Sequence, residues 1–244
     1  MDNVKDIVVK VVPSTLANDF VKKHHYSGKV VNNSQLHFGV FLNGILGGVM
    51  SYWPSTDKSK LIHLVQWTQR NEFIELNRMA FSDLLPRNSE SRALAISIKL
   101  LKKKAPQIKR IVSFADACQC WDGTIYRASW FELTQIAEKK DQFYILPNGE
   151  SFTTITVKLH WYSGGITKYI TKQKFDSIMW SQLSNVAHLK NLMAAIGAKA
   201  IDGYSIRYIK LLKPNLTRNY NILPYSSISE MGASMYKGVK KVAK

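Results

Sequence analysis

Residues 72–115 constrain the fold more than any other stretch of this chain. Glu72–Phe81 has a strand's composition, with Phe73, Ile74, Leu76, Met79 and Phe81 as its apolar content. A polar loop, Ser82–Asn88, leads into a helix over about Ser89–Lys104, whose Leu94, Ile98 and Leu101 share one face at spacings of four and three. Lys102, Lys103 and Lys104 occupy its last turn and read as a helix-end feature rather than a DNA clamp, and Pro106 stops it. Ile108–Ala115 follows as a short apolar strand of the buried-sheet kind, with Asp116 at its C-terminal end. Strand, helix and strand at these lengths predict an α/β domain with helices packed on a central sheet.

The flanking sequence extends that sheet. Asp6–Val12 is β-branched and reads as a strand, and Ser14 or Thr15 can cap a helix running to Lys23. Leu36–Leu42 and Ile45–Trp53 flank Asn43-Gly44, a pair favoured in two-residue hairpin turns because both positions need positive φ. Gly47-Gly48 points to a bulge or a close backbone approach. After Asp116 come a loop, a short helix over Thr124–Trp130 and a strand near Phe131–Ala137. Beyond residue 138 the pattern changes: a Pro147–Gly149 turn separates two β-rich runs, Gly164-Gly165 breaks the chain, and about Thr171–Ala198 reads as helical. A last strand, Ser205–Leu212, precedes a Pro- and Ser-punctuated tail. The expected organisation is a core over 1–138, an insertion or small subdomain over 139–204, and a final strand and tail over 205–244, with that strand returning to the main sheet.

Charge narrows the partners. The 244 residues carry 34 Lys+Arg against 17 Asp+Glu, a formal net charge of +17. Residues 1–138 hold 18 basic and 12 acidic residues and residues 139–244 hold 16 and 5, so by chain position the excess lies toward the C-terminus. Such a surplus suits a polyanion, nucleic acid being the commonest, and a basic protein without one is the plain alternative. Hydrophobic residues at 45% make the composition globular rather than disordered. Two cysteines exclude a disulfide scaffold, and no apolar run approaches the roughly 20 residues of a spanning helix. A soluble cytoplasmic protein with no membrane partner is the expectation.

Three constellations can carry chemistry. Leu85–Arg92 joins a strand to a helix N-terminus, where free amides and the helix dipole attract an anion and Arg87 and Arg92 add charge. An ordinary cap by Asn88 or Ser89 is the alternative there, and no GxGxxG or GxxxxGK[ST] pattern supports a dinucleotide or P-loop site. Asp116 sits where open α/β sheets place a ligand crevice. Tyr126 and Arg127, on the next helix, can face it as a proton carrier and an anion ligand, with Asp122 as a helix cap. His24-His25-Tyr26-Ser27 offers an acid/base or metal-ligand candidate. Cys118-x-Cys120 lacks a partner pair at zinc spacing and reads as free thiols, and His37, His63, His160 and His188 read as satisfied structural histidines.

At these residues the chain resembles the Mom family of phage DNA-modification proteins. The resemblance rests on Glu75-Leu76-Asn77-Arg78, Leu85 through Arg92, Ser113-Phe114-Ala115-Asp116 and Gly123 through Ser129. His25-Tyr26-Ser27 is similar to the family's early His-Tyr motif, and Ile222-Leu223-Pro224-Tyr225 to its ending. It covers most of residues 20–138 plus the tail, with 139–204 only loosely similar. It implies a GCN5-related N-acetyltransferase-like fold, an α/β mixed central sheet flanked by helices with a C-terminal insertion. It also implies acetyl-CoA or another acyl-CoA, with Arg87, Asn88, Ser89 and Ser91 facing the pyrophosphate. Iron enters by the same resemblance, His25 and Asp116 being suitable ligand types. The chain departs from the pattern after Asp116, reading Ala117-Cys118 for the usual Pro and Cys120-Trp121-Asp122 near the usual Gly-His pair, and at Ser129-Trp130, where a Gly usually intervenes.

The implied activity adds a carbamoylmethyl or related acyl-derived group to N6 of adenine in double-stranded DNA, protecting it from host restriction. His25, Tyr26, Asp116 and Tyr126 carry over as active-site residues. Arg127, with Lys168, Lys172 and Lys174 of the basic C-terminal region, are the candidate DNA contacts. N6 is a poor nucleophile because its lone pair is delocalised into the ring. The expected mechanism therefore flips the base and stacks it on an aromatic such as Tyr26 or Trp121. Asp116 serves as base or orienter and Tyr126 as the acid at the leaving group. Two other readings share the sequence: an acyl-CoA-dependent acetyltransferase acting on a small amine or protein, and a non-catalytic DNA-binding protein on the same fold.

Overall fold

The computed structural model describes residues 3–25, 28, 30–31, 33–55, 58–117, 122–139, 143–149, 151–153, 167–180, 185–201, 203–236 and 239–240. A 3-10 turn, Val4–Asp6, precedes β1, Val8–Val11, so the first strand is shorter than Asp6–Val12; Asn3 caps the turn by accepting from the Lys5 amide. α1 spans Ser14–His24. Its cap residue is Pro13 in extended conformation, and no side chain caps it, which corrects the cap expected of Ser14 or Thr15. β2 (Leu36–Leu42) and β3 (Ile45–Trp53) form the expected hairpin, with φ of 50° at Asn43 and 80° at Gly44. After α2 (Lys58–Ile62) come β4 (Phe73–Phe81), α3 (Ser89–Lys104) and β5 (Arg110–Asp116), the strand–helix–strand unit. The glycine pair marks a bulge: Val40 opposes Gly48 and Phe41 opposes Leu46, leaving Gly47 over. A Cβ on Gly47 would lie 2.6 Å from Leu85 Cγ, so the bare backbone admits the loop that follows β4.

α4 (Thr124–Ala128), β6 (Glu132–Glu138) and β10 (Tyr204–Leu211) complete a seven-stranded sheet of order β1-β2-β3-β4-β5-β10-β6. β1 to β4 are antiparallel neighbours, and β4 and β5 are parallel, giving the mixed α/β sheet that was expected. β10 lies between β5 and β6, within the sheet rather than at its edge.

β5 is less apolar than its sequence pattern suggests, because Arg110 is fully buried in it. The guanidinium donates to Leu61 O at 2.6 Å and Ile62 O at 3.3 Å, carbonyls that α2 leaves open at its end, and to Thr68 Oγ1 at 3.1 Å. It also lies over the Phe73 ring, and burial lowers its pKa to about 10. Bonding the buried charge to these dipoles offsets much of its desolvation.

The chain forms two compact units: Met1–Ala115, Gly123–Gln135 and Ile206–Ser227 make the first, and Asp116–Asp122, Ile136–Ser205 and Ile228–Lys244 the second. Grouped this way, the first unit holds 22 Lys+Arg and 9 Asp+Glu, a surplus of +13, and the second holds 12 and 8, a surplus of +4.

The second unit contains a three-stranded sheet, β8-β7-β9, from β7 (Phe143–Ile145), β8 (Ser151–Thr153) and β9 (Lys199–Ile201). The Pro147–Gly149 turn joins β7 to β8, with Gly149 at φ 82°. The single helical stretch expected over Thr171–Ala198 is instead two helices, α5 (Lys172–Met179), which stops at Trp180, and α6 (Asn185–Ala195). α6 ends in a Schellman turn: Gly197, at φ 73°, donates to Ala194 O and Ala198 donates to Met193 O. Tyr144, Leu146, Ile170, Phe175, Leu192, Met193 and Ile196 form the core of this unit. α7 (Ser226–Glu230) and a short hairpin of β11 (Met235–Tyr236) and β12 (Val239–Lys240) follow. Among the described residues no helix is long and apolar enough to cross a membrane.

Candidate active site

β4 and β5 pair only from Phe73–Arg110 to Leu76–Ser113; beyond that rung β4 runs on to Phe81 and β5 to Asp116 without pairing. The cause is visible on the other side of β4. Ser51 opposes Arg78 and Tyr52 opposes Leu76, which leaves Asn77 as an extra residue, and a bulge bends the strand that carries it. The two parallel strands therefore part at their C-terminal ends, where α/β sheets hold ligands.

Tyr126 is anchored at the last rung. The ring is buried against Phe131 and Tyr208, with centroids 5.4 and 4.9 Å away. Ser113 Oγ lies 2.9 Å from Leu76 O and 2.7 Å from the Tyr126 hydroxyl. A serine carries one hydroxyl proton and a carbonyl can only accept, so Ser113 donates to Leu76 O and Tyr126 donates to Ser113. The phenol proton is thus turned inward, and any further polar group at this oxygen must donate to it. Tyr52 and Ser97 repeat the arrangement: Ser97 donates to Leu94 O at 2.9 Å and meets the Tyr52 hydroxyl at 2.7 Å. Burial holds the Tyr52 phenol well above its usual range, and the neighbouring Tyr126 adds to this.

Gly123 sets the direction of α4. It occupies the cap position at φ 71°, and a Cβ there would lie 2.7 Å from the Tyr208 ring. Gly123, rather than Asp122, is the cap residue of α4.

The other side of the divergence is polar. Burial, aided by the Arg78 guanidinium, lowers the His25 pKa to about 4, so the imidazole is neutral at pH 7. Burial raises the Glu75 pKa, against the opposing effects of its Ser55 hydrogen bond and Arg78. Arg78 donates to Asn77 O at 2.7 Å, and Ser34 donates to Asn77 Oδ1 at 3.0 Å, which fixes the bulge. Sequence reasoning quoted Glu75 and Arg78 but gave them no role. Their signal was charge inside an otherwise apolar strand.

The N-terminus of α3 is open to an anion. Asn88 is the cap residue, at φ 70° and ψ 11°, but its side chain does not cap. The Ser89 and Ser91 hydroxyls donate to Pro86 O at 2.6 Å and Asn88 O at 3.1 Å, and the first intrahelical bond runs from the Arg92 amide to Asn88 O. The Glu90 and Ser91 amides consequently have no acceptor within the helix. Arg87 is exposed, and the buried Arg92 Nε has no partner among the described residues. The open amides and the exposed Arg87 guanidinium together fit a pyrophosphate such as that of an acyl-CoA.

The remaining candidates are scattered. Asp116 ends β5, half-buried. Arg127 is exposed, its guanidinium 5.2 Å from the Tyr225 ring. In the second unit, Lys168 lies over the Tyr169 ring, Lys172 pairs with Asp176 at 2.6 Å, and Lys174 is exposed. Tyr26, Cys118, Cys120, Trp121, His160 and Gly164-Gly165 lie outside the described residues. His37 is a satisfied structural histidine, bonded to Ser51 and to Ser34 O. Among the described residues no three His, Cys, Asp or Glu side chains gather as a metal site.

Comparison with known proteins follows the same residues. A curated relative, "Methylcarbamoylase mom" of Escherichia phage Mu, is 35% identical over 153 residues, 63% of this chain and 62% of its own length. The chain thus spans less than two thirds of that relative. An N-acetyltransferase from Staphylococcus aureus Mu50 overlays at a TM-score of 0.43 with 11% identity, covering 85% of this chain and 99% of that one. A GNAT family acetyltransferase from Elizabethkingia anophelis with acetyl-CoA bound overlays at 0.38 with 16% identity, covering 61% and 93%. The model of the Mom protein family matches residues 6–227, nearly the whole chain, and the protein belongs to that family.

Proposed function

We propose that the protein modifies N6 of adenine in DNA with a group drawn from an acyl-CoA. The observation that carries this reading is the parting of β4 and β5 at Leu76–Ser113, with a buried Tyr–Ser pair at the last rung and His25, Glu75 and Arg78 on the β4 side. Family membership, the open α3 N-terminus and the basic first unit support it.

An acyl-CoA bound at α3 would supply an activated carbonyl carbon on a thioester. In the transfer, a bond forms between N6 and that carbon, the carbon–sulfur bond breaks, and N6 loses a proton. We assign proton removal or orientation of N6 to Asp116; His25, neutral at pH 7, can accept a hydrogen bond. Tyr126 binds first as an acceptor. It can act as the acid at the leaving group only by turning its proton away from Ser113. N6 lies within the base pair, so the adenine is flipped out of a double-stranded substrate.

The relative's name suggests the group. A methylcarbamoyl is joined through its carbonyl carbon, so thioester transfer would make it only from an N-methylcarbamoyl thioester, which already carries the nitrogen; an acetyl thioester would leave an N6-acetyl group. A carbamoylmethyl is joined through a methylene, which acyl transfer alone does not make. Either would project from N6 into the major groove and obstruct host restriction enzymes. The test is restriction sensitivity. Plasmid from cells making the wild-type protein should resist enzymes whose sites contain adenine, and plasmid from Asp116→Ala cells should be cut. Full cutting despite folded wild-type protein would refute the reading.

A further inference from the structure

Among the described residues three indoles are almost fully exposed: Trp67 at 88%, Trp130 at 83% and Trp180 at 85%. Trp130 stands apart in its surroundings. It sits between α4 and β6 at φ 59°, a left-handed conformation it shares with Trp67 at φ 55°. The Lys210 ammonium donates to its carbonyl at 3.0 Å, and its own amide bonds to Arg127 O at 3.0 Å. Arg127 lies over the Tyr225 ring, and the Tyr225 hydroxyl in turn donates to Phe131 O. Lys102 is close enough to depress the Lys210 pKa, after the larger effect of burial, and it opens the run Lys102-Lys103-Lys104 at the end of α3.

None of Lys102, Lys103, Lys104, Arg127 or Lys210 has an ion pair among the described residues. The nearby carboxylate, Glu132, is committed to Arg218 and Tyr220. At Trp67, by contrast, the neighbouring cation Lys109 is neutralised by Glu72 at 2.8 Å, and at Trp180 the α5 cation Lys172 is neutralised by Asp176. All of these Trp130 neighbours belong to the unit whose surplus is +13.

We infer that Trp130, with Lys210 bonded to its carbonyl, Arg127 three residues before it and Lys102 near Lys210, is a DNA-docking surface on which an unstacked base lies against the indole while the cations hold the adjoining phosphates. An aromatic face set among unpaired cations matches the two parts of an exposed nucleotide, a planar base and an anionic backbone. Two acidic proteins or a second copy of this basic chain would match only one part each. The inference rests on the DNA-modification reading for its partner and adds the surface.

The test is fluorescence anisotropy with a labelled DNA duplex carrying one bulged adenine, over a salt series. Trp130→Ala should weaken binding about ten- to a hundredfold with an unchanged salt slope, and Trp130→Phe should keep most of the affinity. Lys102→Gln and Arg127→Gln should each reduce the salt slope by about 0.9. Trp130→Asn, which tolerates left-handed backbone, should bind as weakly as the alanine variant and so excludes misfolding as the cause. Unchanged affinity in these variants, or losses confined to Lys168, Lys172 and Lys174 variants, would overturn the surface. So would a Trp130→Ala effect only on self-association or on coenzyme A binding. Because binding is read without catalysis, a wild-type protein that binds through Trp130 but leaves adenine unmodified would sink the enzymatic reading and keep this one. Modification that persists with unchanged binding in Trp130→Ala would do the reverse.

Discussion

The Ser113–Tyr126 pair and His25 each tie protonation to a defined position. Removing Ser113 Oγ leaves Leu76 O and the Tyr126 proton without their partner at a fully buried site, so Ser113→Ala should cost about 1–3 kcal/mol of stability. Because both effects pass through one bond, Ser113→Ala and Tyr126→Phe should combine to less than their sum in denaturant melts, and strict additivity would show the pair is not coupled. His25 gives a pH dependence of definite sign. Its pKa falls from 6.5 when unfolded to about 4 when folded, so the unfolded chain binds the extra proton between these values. Stability from this residue is complete above about pH 6.5 and is lost as pH falls toward 4, about 3 kcal/mol in all. A His25→Gln variant should therefore show a shallower decline in stability from pH 6.5 to 4, and parallel profiles would contradict the burial of a neutral imidazole. Little of this was legible beforehand. Tyr126 and His25 stood out as residue types, but proton direction depends on Ser113 meeting a carbonyl on a neighbouring strand, and no spacing encodes that.

Elements place these residues, and here the sequence said more. The Asn43-Gly44 hairpin and the Ser89–Lys104 helix follow from local rules, turn chemistry in one case and a 3.6-residue apolar face in the other. The bulge at Asn77 and the buried Arg110 were not legible, since each depends on the strand or helix alongside. Gly123 shows how narrow the tolerance is. Gly123→Ala would meet the left-handed penalty and a Cβ contact of 2.7 Å with Tyr208 at the same residue, so it should cost about 2–4 kcal/mol and displace Tyr126. Thermal melts together with near-ultraviolet circular dichroism check this, and a wild-type melt would show that α4 is not positioned by that turn. The α3 N-terminus makes a further prediction. Acetyl-CoA should raise the melting temperature of the wild-type protein, and Arg87→Ala should reduce that shift without changing the melt of the free protein. An equal shift in both proteins would remove Arg87 from the site.

At the scale of the molecule, the charge changes meaning once the fold is known. By chain position the surplus lies beyond residue 138, which suggested that the C-terminal region follows phosphate while the first 138 residues do the chemistry. The compact units reverse that weighting, because the segment Ile206–Ser227 brings Arg207, Lys210, Lys213 and Arg218, with no acidic residue, into the first unit. The final strand expected over Ser205–Leu212 carries Arg207 and Lys210, and as β10 it inserts between β5 and β6. The proposed DNA contacts at Arg127, Trp130 and Lys210 then lie in the same compact unit as Glu75, Arg78 and Tyr126. The most direct measurement is mass spectrometry of nucleosides digested from the DNA of cells making this protein. We predict a new deoxyadenosine derivative with the added mass retained on the base. Unmodified deoxyadenosine in cells holding folded, DNA-bound protein would contradict it.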